Sequence, residues 1–264
     1  MKKIIFLPVL LLAFVANAHL SIEGSYQGKN LYVQNPEDAA GFGFCATKVT
    51  INGDIMPGNL SRSAFEIDFS LVNVSVGDPV FIVIEHNDGC IPKILNPEVL
   101  LPRSTFDIEE IKVTEENQLI WKTNNEQGKL PFIVEQYRWN KWVNAGMVQG
   151  EGTPEVNEYS FELIPHSGEN KVRVTQTDHS GAKRKSPEKV FESDVPEVEM
   201  APKKVKTEIK FTAKGDPVET KYEIFDAYGN IVKKGFASEV NCENLRKGAY
   251  YINFDNQSEK FIKN

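Results

Sequence analysis

Four histidines and three cysteines are all the imidazole and thiol chemistry in the 264 residues. Their densest cluster is His86-Asn87-Asp88-Gly89-Cys90. It offers a thiol nucleophile, an imidazole base and a carboxylate to orient the base. Residues two and four apart on a turn rarely converge, however, and a disulfide at Cys90 would consume the thiol. Asp178-His179-Ser180 holds the three residue types of an acyl-transfer triad. Adjacent residues cannot adopt the triad geometry, and Ser180-Gly181 marks a hairpin turn. Glu109-Glu110 and Glu115-Glu116 read as solvated faces rather than as carboxylates paired across a substrate. His86 with Asp88 lacks further ligands at a spacing that would complete a metal shell. Lys183-Arg184-Lys185 reads as a charged hairpin tip with at most a local preference for anions. No phosphate-binding loop or dinucleotide-binding glycine run is present. The expectation is therefore no catalytic residue, no metal, no cofactor and no enzymatic activity. A small hydrolase with a site hidden from the sequence is the alternative, and a deep polar pocket would favour it.

One further run carries contact chemistry. Tyr137-Arg138-Trp139-Asn140-Lys141-Trp142 sets aromatic rings beside cations on a loop or sheet edge. Tyr137, Arg138, Trp139 and Trp142 form a candidate binding patch, and half-buried packing accounts for the same composition.

Hydrophobic residues make up 41% of the chain and charged residues 25%, enough to bury cores. The formal net charge is −7, from 30 basic and 37 acidic residues. An acidic chain is a poor nucleic-acid binder, because counterion release needs a basic face. Lys2 and Lys3, the apolar run Ile4–Val15 and the small-residue site Ala16-Asn17-Ala18 read as a secretory signal peptide covering residues 1–18. Cleavage there would leave His19 first, with no cysteine to acylate. No later apolar run approaches the roughly 18 residues of a membrane-spanning helix. Export to an oxidising compartment makes Cys45 and Cys90 the expected disulfide pair, with Cys242 left over.

Beyond the signal, alternation with a period of two recurs and helical spacing does not. Phe65, Ile67 and Phe69 alternate with Glu66 and Asp68. Val80–Glu85, Phe132–Val134, Tyr159–Leu163, Lys171–Gln176 and Tyr250–Phe254 read as further strands. Asn52-Gly53, Pro57-Gly58, Asn124-Asn125, Ser180-Gly181 and Tyr228-Gly229-Asn230 supply the turns between them. The expected fold is all-β, with three consecutive small sandwiches. Their ranges are 19–108, 109–192 and 206–264. Residues 193–205, with two prolines and mixed charges, are expected to be an extended, accessible linker.

Three resemblances refine this picture. Ile22-Glu23-Gly24 and Lys48–Gly53 loosely resemble a transthyretin-like sandwich. Leu119-Ile120-Trp121-Lys122-Thr123, followed by Phe132–Gln136, Tyr159–Phe161 and Gly168–Val174, resembles a fibronectin type III-like module. That resemblance places Trp121 between two sheets, with Glu135 and Arg173 facing water. The last segment carries three ordered motifs. They are Asp226–Val232 with Gly229 in its turn, Leu245 to Tyr250 with Gly248, and Lys260-Phe261-Ile262-Lys263. This set is similar to the type A C-terminal sorting domain of the Bacteroidota type IX secretion system, an Ig-like sandwich. The resemblance implies that Asp226, Gly229, Leu245, Gly248, Tyr250, Lys260, Phe261 and Lys263 make up the sorting signal. It implies as partners the type IX translocon and an outer-membrane carrier. It implies passage through the periplasm to the cell surface or medium, with the sorting domain either clipped or retained. A receptor would read an edge strand at the chain's end, or the side chains of Lys260 and Lys263. Surface lipopolysaccharide or glycan is a further candidate ligand.

Overall fold

The computed structural model describes residues 18–264. The signal peptide expected at 1–18 thus lies outside the described residues, except for Ala18. The chain divides into two compact units between Pro102 and Arg103.

In the first unit, β1 (Ala18–Ser25), β2 (Leu31–Gln34), β3 (Ala46–Ile51), β4 (Asp54–Ile55), β5 (Ala64–Ile67), β6 (Pro79–His86) and β7 (Lys93–Ile94) form two sheets. Their orders are β1-β6-β3-β4 and β5-β2-β7. Alternation decides what faces inward. Val80, Ile82 and Ile84 of β6 meet Val49 and Ile51 of β3, and Leu31, Val33, Phe65 and Ile67 come from the other sheet. Strand β5 ends at Ile67 because the Asp68 carboxylate accepts the Ser70 N–H and starts a single 3-10 turn. Phe69 is still buried, so the alternation continues past the end of the strand. Asn52 and Gly53 both take positive φ, 53° and 94°, as a tight hairpin turn requires. Cys45 and Cys90 are disulfide-bonded.

The second unit holds two sandwiches. The first contains β8 (Asp107–Val113), β9 (Gln118–Asn124), β10 (Pro131–Arg138), β11 (Lys141–Gln149), β12 (Asn157–Glu162), β13 (Gly168–Thr177), β14 (Lys183–Lys185) and β15 (Lys189–Ser193). The sheet β12-β9-β8 packs on β11-β10-β13, and both β14 and β15 pair with β13. This is a fibronectin type III-like arrangement of strands. Trp121 is fully buried between the sheets, stacked on Tyr159 at 5.3 Å and edge-on to Phe132 at 5.7 Å. Phe106 packs on Phe132 at 5.0 Å, so this module begins earlier than the boundary expected at residue 108.

The second sandwich contains β16 (Glu199–Ala201), β17 (Lys204–Val205), β18 (Glu208–Ala213), β19 (Asp216–Pro217), β20 (Thr220–Phe225), β21 (Ile231–Ala237), β22 (Glu239–Asn241), β23 (Gly248–Phe254) and β24 (Gln257–Lys263). One sheet is β16-β18-β19 with β22 on β18, and the other is β17-β24-β23-β20-β21. Here the expected linker is corrected. β16 and β17 lie inside residues 193–205, and Val198, Met200 and Val205 are buried in this core. Pro196 and Pro202 flank the short strands instead of interrupting them, where no ladder N–H is required.

The disulfide closes 45 residues of the first unit. Replacing Cys45 and Cys90 by serine should cost that unit about 4 kcal/mol on the chain-entropy model. Hydrogen exchange of full-length protein should then show lost protection in β2, β3 and β6, with residues 103–264 unchanged.

Candidate functional site

The candidate chemistry of the first unit is structural. The Cys90 sulfur is bonded to Cys45, and the His86 ring contacts the Asn87 carbonyl oxygen at 3.0 Å. The disulfide joins two loops. Asn87 Nδ2 donates to Asp38 at 2.8 Å, and the Asp38 N–H closes onto the Gly43 carbonyl at 3.1 Å. At the loop tip, Phe42 stands 88% exposed between Gly41 and Gly43, whose φ values are 76° and 79°. Ile91, beside the other cysteine, is 71% exposed.

In the second unit the proposed pairs also disperse. Asp178 accepts from the N–H and hydroxyl of Ser180 at 2.9 and 2.6 Å, a turn-closing arrangement that holds its carboxyl below the usual range. Glu110 binds Lys112 at 2.8 Å, and Glu109 accepts from Asn124 at 2.6 Å. Lys183 and Arg184 are ion-paired to Glu135 and Asp107. Among the described residues, no group of three or more His, Cys, Asp or Glu is placed to hold a metal ion. The Cys242 thiol is free and buried, and burial pushes its pKa up.

The aromatic–basic run does not form a single outward patch. Alternation along β10 carries Phe132, Val134, Gln136 and Arg138 to the buried side. Trp142 packs outside, with the Arg173 guanidinium 3.8 Å from its ring and Tyr137 edge-on at 5.3 Å. Arg173 also binds Glu135 at 2.7 Å, and both side chains are nearly covered. The expectation that Glu135 and Arg173 face water is thereby corrected, since the indole shields the pair. Burial pushes the Glu135 carboxyl up, but hydrogen bonds and charge from Lys183 and Arg173 outweigh it and hold the pKa low.

Arg138 and Trp139 face the C-terminal sandwich. At the turn between β23 and β24, Asp255 is 1% exposed with φ of 47°. Its carboxylate accepts from the Ser167 N–H at 2.9 Å, the Ser167 hydroxyl at 2.5 Å and the Val198 N–H at 3.4 Å. The Asp255 carbonyl accepts from Arg138 at 3.4 Å, and the Trp139 indole N–H donates to the Phe254 carbonyl at 3.3 Å. Asn256 donates to the Ser167 carbonyl at 2.8 Å. Behind these, Arg138 Nε donates to Gln136 at 2.9 Å, and Gln136 donates to Asn170 at 2.8 Å. Burial pushes the Arg138 pKa down to about 10, opposed by the charge of Asp255, so the guanidinium stays charged at neutral pH. At the outer edge of this seam Lys141 binds Glu223 at 2.6 Å, and Lys221 donates to the Asn144 carbonyl at 3.1 Å.

The motif residues of the C-terminal sandwich have separate tasks. The Asp226 carboxylate closes its turn by accepting from the N–H groups of Tyr228 and Asn230, each at 2.9 Å, and Gly229 supplies φ of 86°. Gly248 has φ of 154°, which side chains rarely tolerate. Leu245 packs on the core. Tyr250 stacks on Phe261 at 5.4 Å and donates its hydroxyl proton to the Arg246 carbonyl at 3.0 Å. Lys260 is exposed, but Lys263 is 8% exposed and donates to the Asn264 carbonyl at 2.9 Å. β17 lies parallel against the end of β24, pairing Lys204 with Ile262 and Val205 with Lys263. The end of β24 is therefore neither a free edge nor a pair of free lysines. The seam residues Asp255 and Ser167 carry no signal in the sequence, because nothing local marks an aspartate on a turn as buried.

The fold and seam define a chain of β-sandwiches in which the C-terminal sandwich is bound to the one before it. Residues 201–264 match the secretion system C-terminal sorting domain. That domain implies interaction with the type IX machinery, and export to the cell surface or medium. No curated protein matches the chain. Among solved structures, the FN1–FN3 domains of chicken CNTN1 are 12% identical with a TM-score of 0.24, over 94% of this chain and 95% of that one. The Clostridium thermocellum CbhA fibronectin(III)-like modules are 14% identical at 0.22, over 60% and 94%. Dimeric latent PorU from Porphyromonas gingivalis is 10% identical at 0.24, over 93% and 31%. Among the described residues no helix is long and apolar enough to cross a membrane.

Two measurements probe this geometry. Asp255→Ala leaves buried donors without an acceptor, so it should destabilise residues 103–264 by about 2–4 kcal/mol. The loss should appear in tryptophan-detected urea unfolding, with faster exchange of the Ser167 and Val198 amides. Glu135, whose folded pKa is lowered, contributes stability above its unfolded pKa and loses it as pH falls through the folded one. Between about pH 5 and pH 3 the same unfolding midpoint should fall. It should fall less steeply in Glu135→Gln, and an unchanged slope would dismiss this role for the pair.

Proposed function

We propose that this chain is a non-enzymatic binding protein of the cell surface. A signal peptide takes it into the periplasm, and the type IX machinery carries it across the outer membrane. Its first two sandwiches are the working part. The sorting sandwich stays folded against the second of them, as in an accessory component of the secretion and envelope machinery. The observation that carries the reading is the sorting domain at 201–264, joined to its neighbour by the buried seam at Asp255. A binding role is supported by Phe42 and Ile91, held outward on disulfide-joined loops. The acidic side chains Glu37, Asp38 and Asp88 near that tip oppose polyanionic lipopolysaccharide and favour a protein ligand.

The test compares full-length protein with a form lacking Phe261–Asn264, in cells that possess the type IX system. Phe261 is a core residue and β24 pairs with two strands, so the deletion disrupts the sorting sandwich. Full-length protein should be cleaved by protease added outside the cells, and its first residue should be His19. The shortened form should accumulate in the periplasm. Equal surface amounts of the two would refute the sorting assignment.

A further inference from the structure

We propose that the secretion machinery reads this chain through the outer face of its five-stranded C-terminal sheet, along a stripe centred on Tyr251, and not through the last residues of β24. The proposal rests on the sorting role of residues 201–264 and names the surface that performs it.

Strand register builds the stripe. Directly opposed residues of an antiparallel pair share a face. Ile231 opposes Phe225, Phe225 opposes Tyr251, and Tyr251 opposes Lys260. These four side chains cross β21, β20, β23 and β24 in one row. Ile262 lies in the next row, beside Lys204 of β17. The neighbours of the stripe along each strand point inward, as Tyr250, Ile252 and Phe261 do. Tyr251 is 49% exposed, Ile231 48% and Ile262 37%, an apolar set that no core requires outside.

The same face is covered only in part. One row away, Glu223 is bound by Lys141, and the next row holds Lys221, bonded to the Asn144 carbonyl. The Lys141 ammonium also sits 5.5 Å from the Phe225 ring. The preceding sandwich thus ends at Phe225, while Tyr251, Lys260 and Ile262 stay open. The alternatives at the sheet margins are poorer. β17 is two residues long, and β21 carries Lys233 and Lys234 along its edge, a pattern that discourages strand addition. The occupant is therefore a receptor component of the type IX machinery. It would offer an apolar surface to Tyr251 and Ile262, with carboxylates opposite Lys204 and Lys260.

The experiment uses full-length chain in cells that possess the type IX system, with Tyr251→Asp, Ile262→Asp and Lys260→Glu as separate variants. Lys214→Glu, at the turn between β18 and β19 on the other sheet, is the control. Each purified variant should keep the wild-type thermal midpoint. Surface protein should fall roughly tenfold in the two aspartate variants and less in Lys260→Glu, with matching periplasmic accumulation. The control should export normally. Should an aspartate variant lose its fold, the milder pair Tyr251→Ser with Ile262→Thr decides in the same way. Normal export of folded stripe variants, while the form lacking Phe261–Asn264 is retained, overturns this face and leaves the sorting role standing. If that shortened form also exports, the sorting role itself fails. Normal export with altered self-association would reassign the face to a second copy of the chain, which also overturns the proposal.

Discussion

A carboxylate with 1% exposure must be surrounded by donors, and those of Asp255 come from outside its own hairpin. Desolvating an aspartate costs several kcal/mol unless hydrogen bonds replace the lost water. Ser167 supplies an N–H and a hydroxyl, and Val198 supplies a second N–H. Ser167 belongs to the fibronectin-like sandwich and Val198 to the segment that follows it. Satisfying one side chain therefore fixes two modules and the chain between them. The inward turn of Arg138, the reach of the Trp139 indole and the ordering of β16 and β17 all accompany that constraint. Separating the modules would leave Asp255 and Arg138 without their partners across the seam.

The sorting motif acquires a physical meaning in this setting. Asp226 and Gly229 close one turn, Gly248 opens β23 at a φ of 154°, and Tyr250 with Phe261 forms a buried stack. Lys263 pairs with β17 and is covered. Most of the residues that make the motif recognisable thus specify the sandwich. Of the motif, Lys260 is left with its side chain in solvent on the strands themselves. A strand that commits alternate residues to the core has the intervening ones to offer a partner. Tyr251 lies between Tyr250 and Ile252, and Ile262 between Phe261 and Lys263, so each follows from the same pleat that buries its neighbours.

Much of the fold was legible for this reason. Period-two alternation located β5, β6, β10, β12, β13 and β23, and Asn-Gly and Gly-Asn pairs located turns, because both are local signals. Export chemistry was enough to pair Cys45 with Cys90 in a chain with three cysteines. What escaped was polar burial. Residues 193–205 looked like a linker because prolines and charges outnumber apolar residues there, yet Val198, Met200 and Val205 carry a core stripe. Arg138 looked like part of a surface patch, although the alternation from Phe132 and Val134 already pointed it inward. Glu135 and Arg173 looked solvated, and are shielded by an indole from β11. In each case the deciding partner is distant in sequence: Asp255 for Arg138, Trp142 for Arg173, and β18 or β24 for the supposed linker.

The seam also bears on how a receptor would approach. The chain carries a formal net charge of −7, so its long-range field repels an acidic partner. Around Tyr251 the local balance is reversed, since Lys204 and Lys260 flank the open rows and Glu223 is already neutralised by Lys141. An acidic receptor surface would be repelled elsewhere and admitted here, which gives orientation before apolar contact begins. A freely hinged module would present this patch in every direction relative to its cargo. Fixed by Asp255, Lys141 and Lys221, it presents the patch in one direction, with the fibronectin-like sandwich against one border. Rigid attachment reduces the entropy lost on docking and makes the neighbouring module part of what the receptor must accommodate.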